Sequence, residues 1–125
     1  MNLQYDIQKL TEVAKKHQLR FVILHGSHAT GRARANSDID VAVVPLYCTG
    51  DPTLDLYPEM ARIFNTSLES AILDLKSIGG ADPLFRYEVT RDGILLFGDD
   101  IDYEEYKAIS RRMYDDARPL FELEN

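Results

Sequence analysis

A single cysteine, Cys48, excludes an internal disulfide framework and a cysteine-built zinc site. Long apolar runs are absent: none approaches the ~20 residues that span a bilayer, so no membrane partner is expected. The start, Met1-Asn2-Leu3-Gln4-Tyr5-Asp6, lacks the basic and apolar regions of a signal peptide. No repeat, low-complexity tract or Gly/Ser linker divides the chain. Positive charge is also short: 14 Lys and Arg stand against 21 Asp and Glu, a net charge of −7. An acidic surface repels phosphate backbones, so direct binding of nucleic acid is not expected and a basic protein surface suits it better. These absences together predict a cytoplasmic protein.

What remains is one domain, residues 1–125, with 45% hydrophobic and 28% charged residues, the balance of an ordinary globular chain. Leu3, Ile7, Leu10 and Ala14 recur three or four apart, which predicts an amphipathic helix. Phe21-Val22-Ile23-Leu24 reads as a buried strand running into His25-Gly26-Ser27. Ser37 is placed to cap a turn before a second buried strand, Ile39 to Val44, ended by Pro45. A loop around Thr49-Gly50-Asp51-Pro52-Thr53 precedes a helix over 54–65, and Ser70 to Leu75 reads as a third strand. Asp82 and Pro83 stand as N-cap and first residue of a helix reaching Thr90. Asp92-Gly93 turns into the strand Ile94–Phe97, and a last helix runs from Asp102 to about Ala117, stopped before Pro119. The expected fold is α/β (α+β): a mixed sheet of about four strands with helices packed against it.

The chemistry is concentrated between His25 and Val44. Gly26, at a strand end, lets the backbone approach a phosphate and tolerates positive φ. Ser27 adds a hydroxyl donor, and a short helix after it would turn free N–H groups toward an anion. Gly31 relieves a second tight point, and Arg32 or Arg34 can neutralise phosphate charge. Asp38 and Asp40, two apart on a strand, project from one face. Such carboxylates repel each other unless a cation lies between them, and hard oxygen ligands on an open edge suit Mg²⁺. With a nucleotide triphosphate bound, two Mg²⁺ ions are expected. One would hold the β- and γ-phosphates, and the other would activate a hydroxyl for in-line attack on the α-phosphorus. The bland alternative is a strand–loop–strand with solvated acids.

Gly-Ser, ten intervening residues and Asp-x-Asp, with Ala29-Thr30-Gly31 and Ser37-Asp38-Ile39-Asp40 inside it, resemble the minimal nucleotidyltransferases of the DNA polymerase β superfamily. These are the antitoxin partners of HEPN-domain toxins. Leu73-Asp74-Leu75-Lys76, Pro83-Leu84-Phe85-Arg86-Tyr87-Glu88-Val89 and Asp92-Gly93-Ile94-Leu95-Leu96-Phe97 are similar to the family's later elements, so the resemblance covers roughly residues 5–98. It implies a polymerase β-like fold and transfer of AMP from ATP to a tyrosine of a HEPN-type toxin, which neutralises the toxin.

The superfamily adds a third carboxylate on a neighbouring strand, at the first aspartate of a V-D-L-V-D-L-like segment in this family. Aligned on Leu73-Asp74-Leu75, that place falls on Ala71. Alternation along a strand would then turn Asp74 to the opposite side, leaving it a surface or structural acid. Glu69 shares the parity of Ala71 and is the candidate substitute, against the reading of a solvated loop charge. Losing one acid would weaken the nucleophile-side metal first. Two alternatives to an active enzyme follow: a degenerate domain that neutralises its toxin by binding alone, and a small-molecule nucleotidyltransferase, for whose acceptor domain 125 residues leave little chain.

Lesser candidates complete the survey. His25 and His28 flank Gly26-Ser27 and reach a phosphate or metal, or are simply half-buried histidines. Cys48 has no basic cluster to activate it. Asp99, Asp100, Asp102, Glu104 and Glu105, with Tyr103, Tyr106 and Tyr114, make the last helix (102–118) either a partner surface or a core helix with a solvated acidic side.

Overall fold

The computed structural model describes residues 3–34, 36–47, 50–64, 72–79 and 82–123. Glu69, Ala71 and Cys48 lie outside these residues, as do the end of the helix expected over 54–65 and the start of the strand expected from Ser70. Among the described residues nine elements follow one another: α1 (Ile7–Lys16), β1 (Leu19–His25), α2 (Ser27–Thr30), β2 (Ile39–Pro45), α3 (Thr53–Phe64), β3 (Leu73–Ser77), α4 (Pro83–Asp92), β4 (Ile94–Phe97) and α5 (Asp100–Leu123). The strands form one mixed sheet ordered β3-β2-β1-β4. β1 is antiparallel to both β2 and β4, while β2 and β3 run parallel.

Local chemistry sets the boundaries. Asp6 caps α1 by accepting from the N–H groups of Gln8 and Lys9, both at 3.1 Å. Asp82 does the same for α4 through Leu84 and Phe85, with Pro83 in the first turn, as the sequence predicts. Ser37 works backward instead of forward: its Oγ accepts from the N–H of Arg34 at 2.7 Å and closes the turn before β2.

β1 and β2 are buried on both faces of the sheet. Val22, Leu24, Ile39, Val41 and Val43 pack with Leu10 and Ala14 of α1 and with Leu56, Met60, Ile63 and Phe64 of α3. Phe21, Ile23, Ala42 and Val44 pack on the other face with Val89 of α4 and Tyr103 and Tyr106 of α5. Burying these side chains supplies the stabilisation, at about 25 cal/mol per Å² of apolar area removed from water.

Two expectations change. Ile7 is 63% exposed, so the inner face of α1 is Leu10, Val13 and Ala14, with Leu3 packed alongside from outside the helix. α5 runs past Pro119 to Leu123. Pro119 removes one N–H donor there, but the surrounding turn is exposed and water can satisfy the freed carbonyl.

Candidate active site

The strand register assembles the site. His25 on β1 lies opposite Asp40 on β2, and Asp40 lies opposite Asp74 on β3. Register partners share a face. Phe21 and Ile23, Ala42 and Val44, and Ile78 all meet α4 and α5. Counting by twos from them puts His25, Asp40, Asp74 and Lys76 on that same side. A row of four polar side chains therefore closes one end of an otherwise apolar sheet face.

Asp74 is the correction to the sequence reading. It was expected to face away, with Ala71 in the place of the third acid, yet its carboxyl is within hydrogen-bonding reach of Asp40. β3 begins at Leu73, so Leu73 and Leu75 turn to the α1–α3 side and Asp74 and Lys76 turn to the other. The alternation was reckoned from Ala71, outside the described strand. The apolar–acid–apolar–base pattern of Leu73-Asp74-Leu75-Lys76 was the signal that would have found the correct face. Glu69 lies outside the described residues, so its expected role is neither placed nor displaced.

Burial pushes the Asp40 carboxyl above its usual range, and the charges of Asp74 and Asp38 push it the same way; Lys76 opposes them. Asp38 is exposed, just before β2. Asp40 thus feels two further acids, with one lysine opposing them. The donor set is all carboxylate oxygen, which fits Mg²⁺. Among the described residues no three His, Cys, Asp or Glu side chains stand ready to enclose an ion unaided. Mg²⁺ commonly takes one or two carboxylates and completes its shell with water and substrate phosphates.

Gly26 is held against this cluster. Its φ is +71°, and a β-carbon there would lie 2.2 Å from Asp40 Oδ2. Only glycine meets both demands. Ser27 starts α2, whose first N–H groups have no helical carbonyl to bond. Gly31 ends α2 in the left-handed conformation at φ +77°, and the N–H of Arg32 bonds Ser27 O at 2.9 Å. Gly31 is therefore a helix-ending residue that lets the loop turn back. The side chains of Arg32 and Arg34 are exposed.

The two histidines differ. His25 is driven toward its neutral form chiefly by burial, with Asp74 opposing and Lys76 assisting. Its Nε2 is buried without a hydrogen-bond partner among the described residues, and its ring meets Phe85 edge-on at 6.0 Å. His28 is buried with Nε2 3.4 Å from Ser37 O, tying α2 to the turn before β2. A separate cavity of about 680 Å³, lined by Arg20, Arg86 and Tyr106 among others, opens at the far end of the same sheet face, by Val44 and Pro45.

Residues 8–102 match the family model for polymerase beta nucleotidyltransferases, and the chain belongs to that family. Among solved structures, it is similar to a chain of a toxin–antitoxin crystallised with AMP-PNP (TM-score 0.71, 22% identity, covering 94% of this chain and 96% of that one). It is also similar to a chain of the tri-AMPylated Shewanella oneidensis HEPN toxin in complex with MNT antitoxin (TM-score 0.62, 20% identity, covering 93% and 92%). A third is a chain of the MntA–HepT toxin–antitoxin (TM-score 0.64, 18% identity, covering 93% of each). At these identities the likeness establishes the fold. No curated protein sequence matches the chain.

Proposed function

We propose that the chain is an antitoxin-type protein nucleotidyltransferase that transfers AMP from ATP to a tyrosine of a HEPN-type toxin and so neutralises it. The meeting of Asp40 with Asp74, beside the Gly26 backbone, is the observation that carries this reading. It offers Asp74 as the third carboxylate, in place of the Ala71 position on which the binding-only alternative rests. The matched toxin–antitoxin structures, one with AMP-PNP and one with an AMPylated toxin, support both the nucleotide and the acceptor.

In this reading Asp38, Asp40 and Asp74 would hold Mg²⁺ together with the triphosphate. The metals supply charge neutralisation and a more acidic hydroxyl. The chain's own residues orient the substrates. Gly26, Ser27 and the start of α2 receive the phosphates, Gly31 shapes the loop, and Arg32 is near enough in sequence to reach their charge. Asp40 between the phosphates and Asp74 fixes the line of attack. Transfer of ³²P from α-labelled ATP to a co-purified HEPN-type partner tests the reading. Label that appears with Mg²⁺ and vanishes in Asp38→Ala supports it; neutralisation that survives Asp38→Ala and Asp40→Ala without any label contradicts it.

A further inference from the structure

Lys76 is a charged group beside the carboxylates that the function above leaves unused. Its Nζ lies 3.6 Å from Asp74 Oδ2, and the ammonium sits 5.6 Å from the centroid of the Phe85 ring. The side chain is 54% exposed. It stands two residues along β3 from Asp74 on the same face, and its charge is felt at Asp40 and His25 as well.

The order of groups across the sheet gives this lysine a direction. Gly26 contacts Asp40 from the β1 side, whereas Asp74 and Lys76 flank it from the β3 side. Displacement at phosphorus is in line, so an attacking oxygen enters opposite the leaving pyrophosphate. With the phosphates on Gly26 and Ser27, the hydroxyl must arrive over β3. Among the described residues that strand is a sheet edge, with no further strand beside it.

We infer that Lys76 is a catalytic cation: paired with Asp74, it would compete with Mg²⁺ for that carboxylate and contact the acceptor oxygen. The inference rests on the proposed AMP transfer. In the step itself, the acceptor oxygen bonds to the α-phosphorus as the bond to the bridging oxygen breaks. Pyrophosphate leaves with that electron pair, and the hydroxyl proton passes to solvent. The ammonium stabilises the negative charge that develops on the entering oxygen, and a phenol gives up its proton more readily than an alkyl alcohol does. Phe85, under the ammonium, offers an aromatic acceptor a ring to pack on.

Two readouts test this. The first is Mn²⁺ binding to the full chain without nucleotide, followed by electron paramagnetic resonance, for the parent, Lys76→Met and Lys76→Arg. Removing a half-exposed competitor for Asp74 should tighten Mn²⁺ in Lys76→Met by roughly threefold. The second is transfer of labelled AMP to the HEPN-type partner. Lys76→Met should lower kcat on the order of a hundredfold with the KM for ATP unchanged, as for loss of one charge-stabilising donor, and Lys76→Arg should retain most of it. Unchanged or weaker Mn²⁺ binding, or unchanged kcat, in a Lys76→Met chain that transfers AMP overturns the role of Lys76 alone. Absence of transfer by the parent overturns the proposed function and the acceptor role with it.

Discussion

Gly26 shows how few residues the site allows to vary. A methyl group added there meets the Asp40 carboxylate and forces a side chain into positive φ. Gly26→Ala should cost about 1–3 kcal/mol in a urea titration from backbone strain alone, since φ +71° with ψ −152° is a region essentially only glycine enters. It should also abolish AMP transfer, because the Asp40 carboxylate must move. Asp40 predicts the reverse trade. Its native carboxyl titrates above its unfolded value, so ionisation opposes folding, and stability falls as pH rises through the native value. Asp40→Asn should therefore stabilise the metal-free chain at pH 7, by no more than ~1 kcal/mol given solvent screening, while removing transfer. Equal or lower stability of Asp40→Asn would show that Asp40 is held by contacts other than those named.

At this scale placement was readable from spacing: Gly26 follows β1 and lies against Asp40 of β2, as the strand–loop–strand reading has them. Asp74 was misread because a face assignment depends on where a strand begins, and a shift of one residue inverts it. Glu69 was weighed in its place for the same reason.

Among the elements, α5 is fastened to the sheet by Arg20 of β1. Its Nε and NH2 groups reach Asp102 at 2.9 and 2.6 Å, a two-pronged pair at the start of the helix. The Arg20 hydrogen bond holds the Asp102 carboxyl below its usual value. The pair's contribution is thus complete above the unfolded Asp pKa and fades as pH falls through the depressed native one. Asp102→Asn should lose up to ~1 kcal/mol at pH 7, since both side chains are about a third exposed. Its stability should converge with the parent's in acid. A difference that persists at acid pH would assign the effect to helix capping instead.

The tyrosines of α5 were ambiguous between core and partner surface, and the structure divides them. Tyr103 and Tyr106 are 4% and 3% exposed and pack edgewise or tilted on Phe21. Tyr114 is half-buried and stacks on Tyr87 of α4 at 4.2 Å. Burial raises the Tyr103 hydroxyl to about 12. Absorbance at 295 nm should show it ionising only with unfolding, and titration near pH 10 in the folded chain would contradict that packing. Periodicity could not separate these cases, because a helix buried on one side and acidic on the other carries the same spacing in either setting.

In the whole molecule, the sheet does two jobs with one pattern. Its centre is apolar on both faces, and the row His25, Asp40, Asp74, with Lys76 beside it, ends one face in charge. The mixed order β3-β2-β1-β4 brings Asp74 beside Asp40 although 33 residues separate them in sequence (74 − 40 − 1). Element types and the four-strand sheet were legible from hydrophobic runs, caps and turns. Strand order and register were not, since pairing depends on tertiary packing that no local window contains.

Asp74 is where the account is most exposed to test. Transfer of labelled AMP from ATP and Mg²⁺ to a HEPN-type partner, compared between the parent and Asp74→Asn with folding checked by circular dichroism, measures its role directly. The account predicts that Asp74→Asn folds as the parent does and transfers at least a hundredfold more slowly, on the scale of losing one charge-stabilising group, while Glu69→Gln retains transfer. Parent-like transfer by Asp74→Asn, with activity lost in Glu69→Gln, would contradict it.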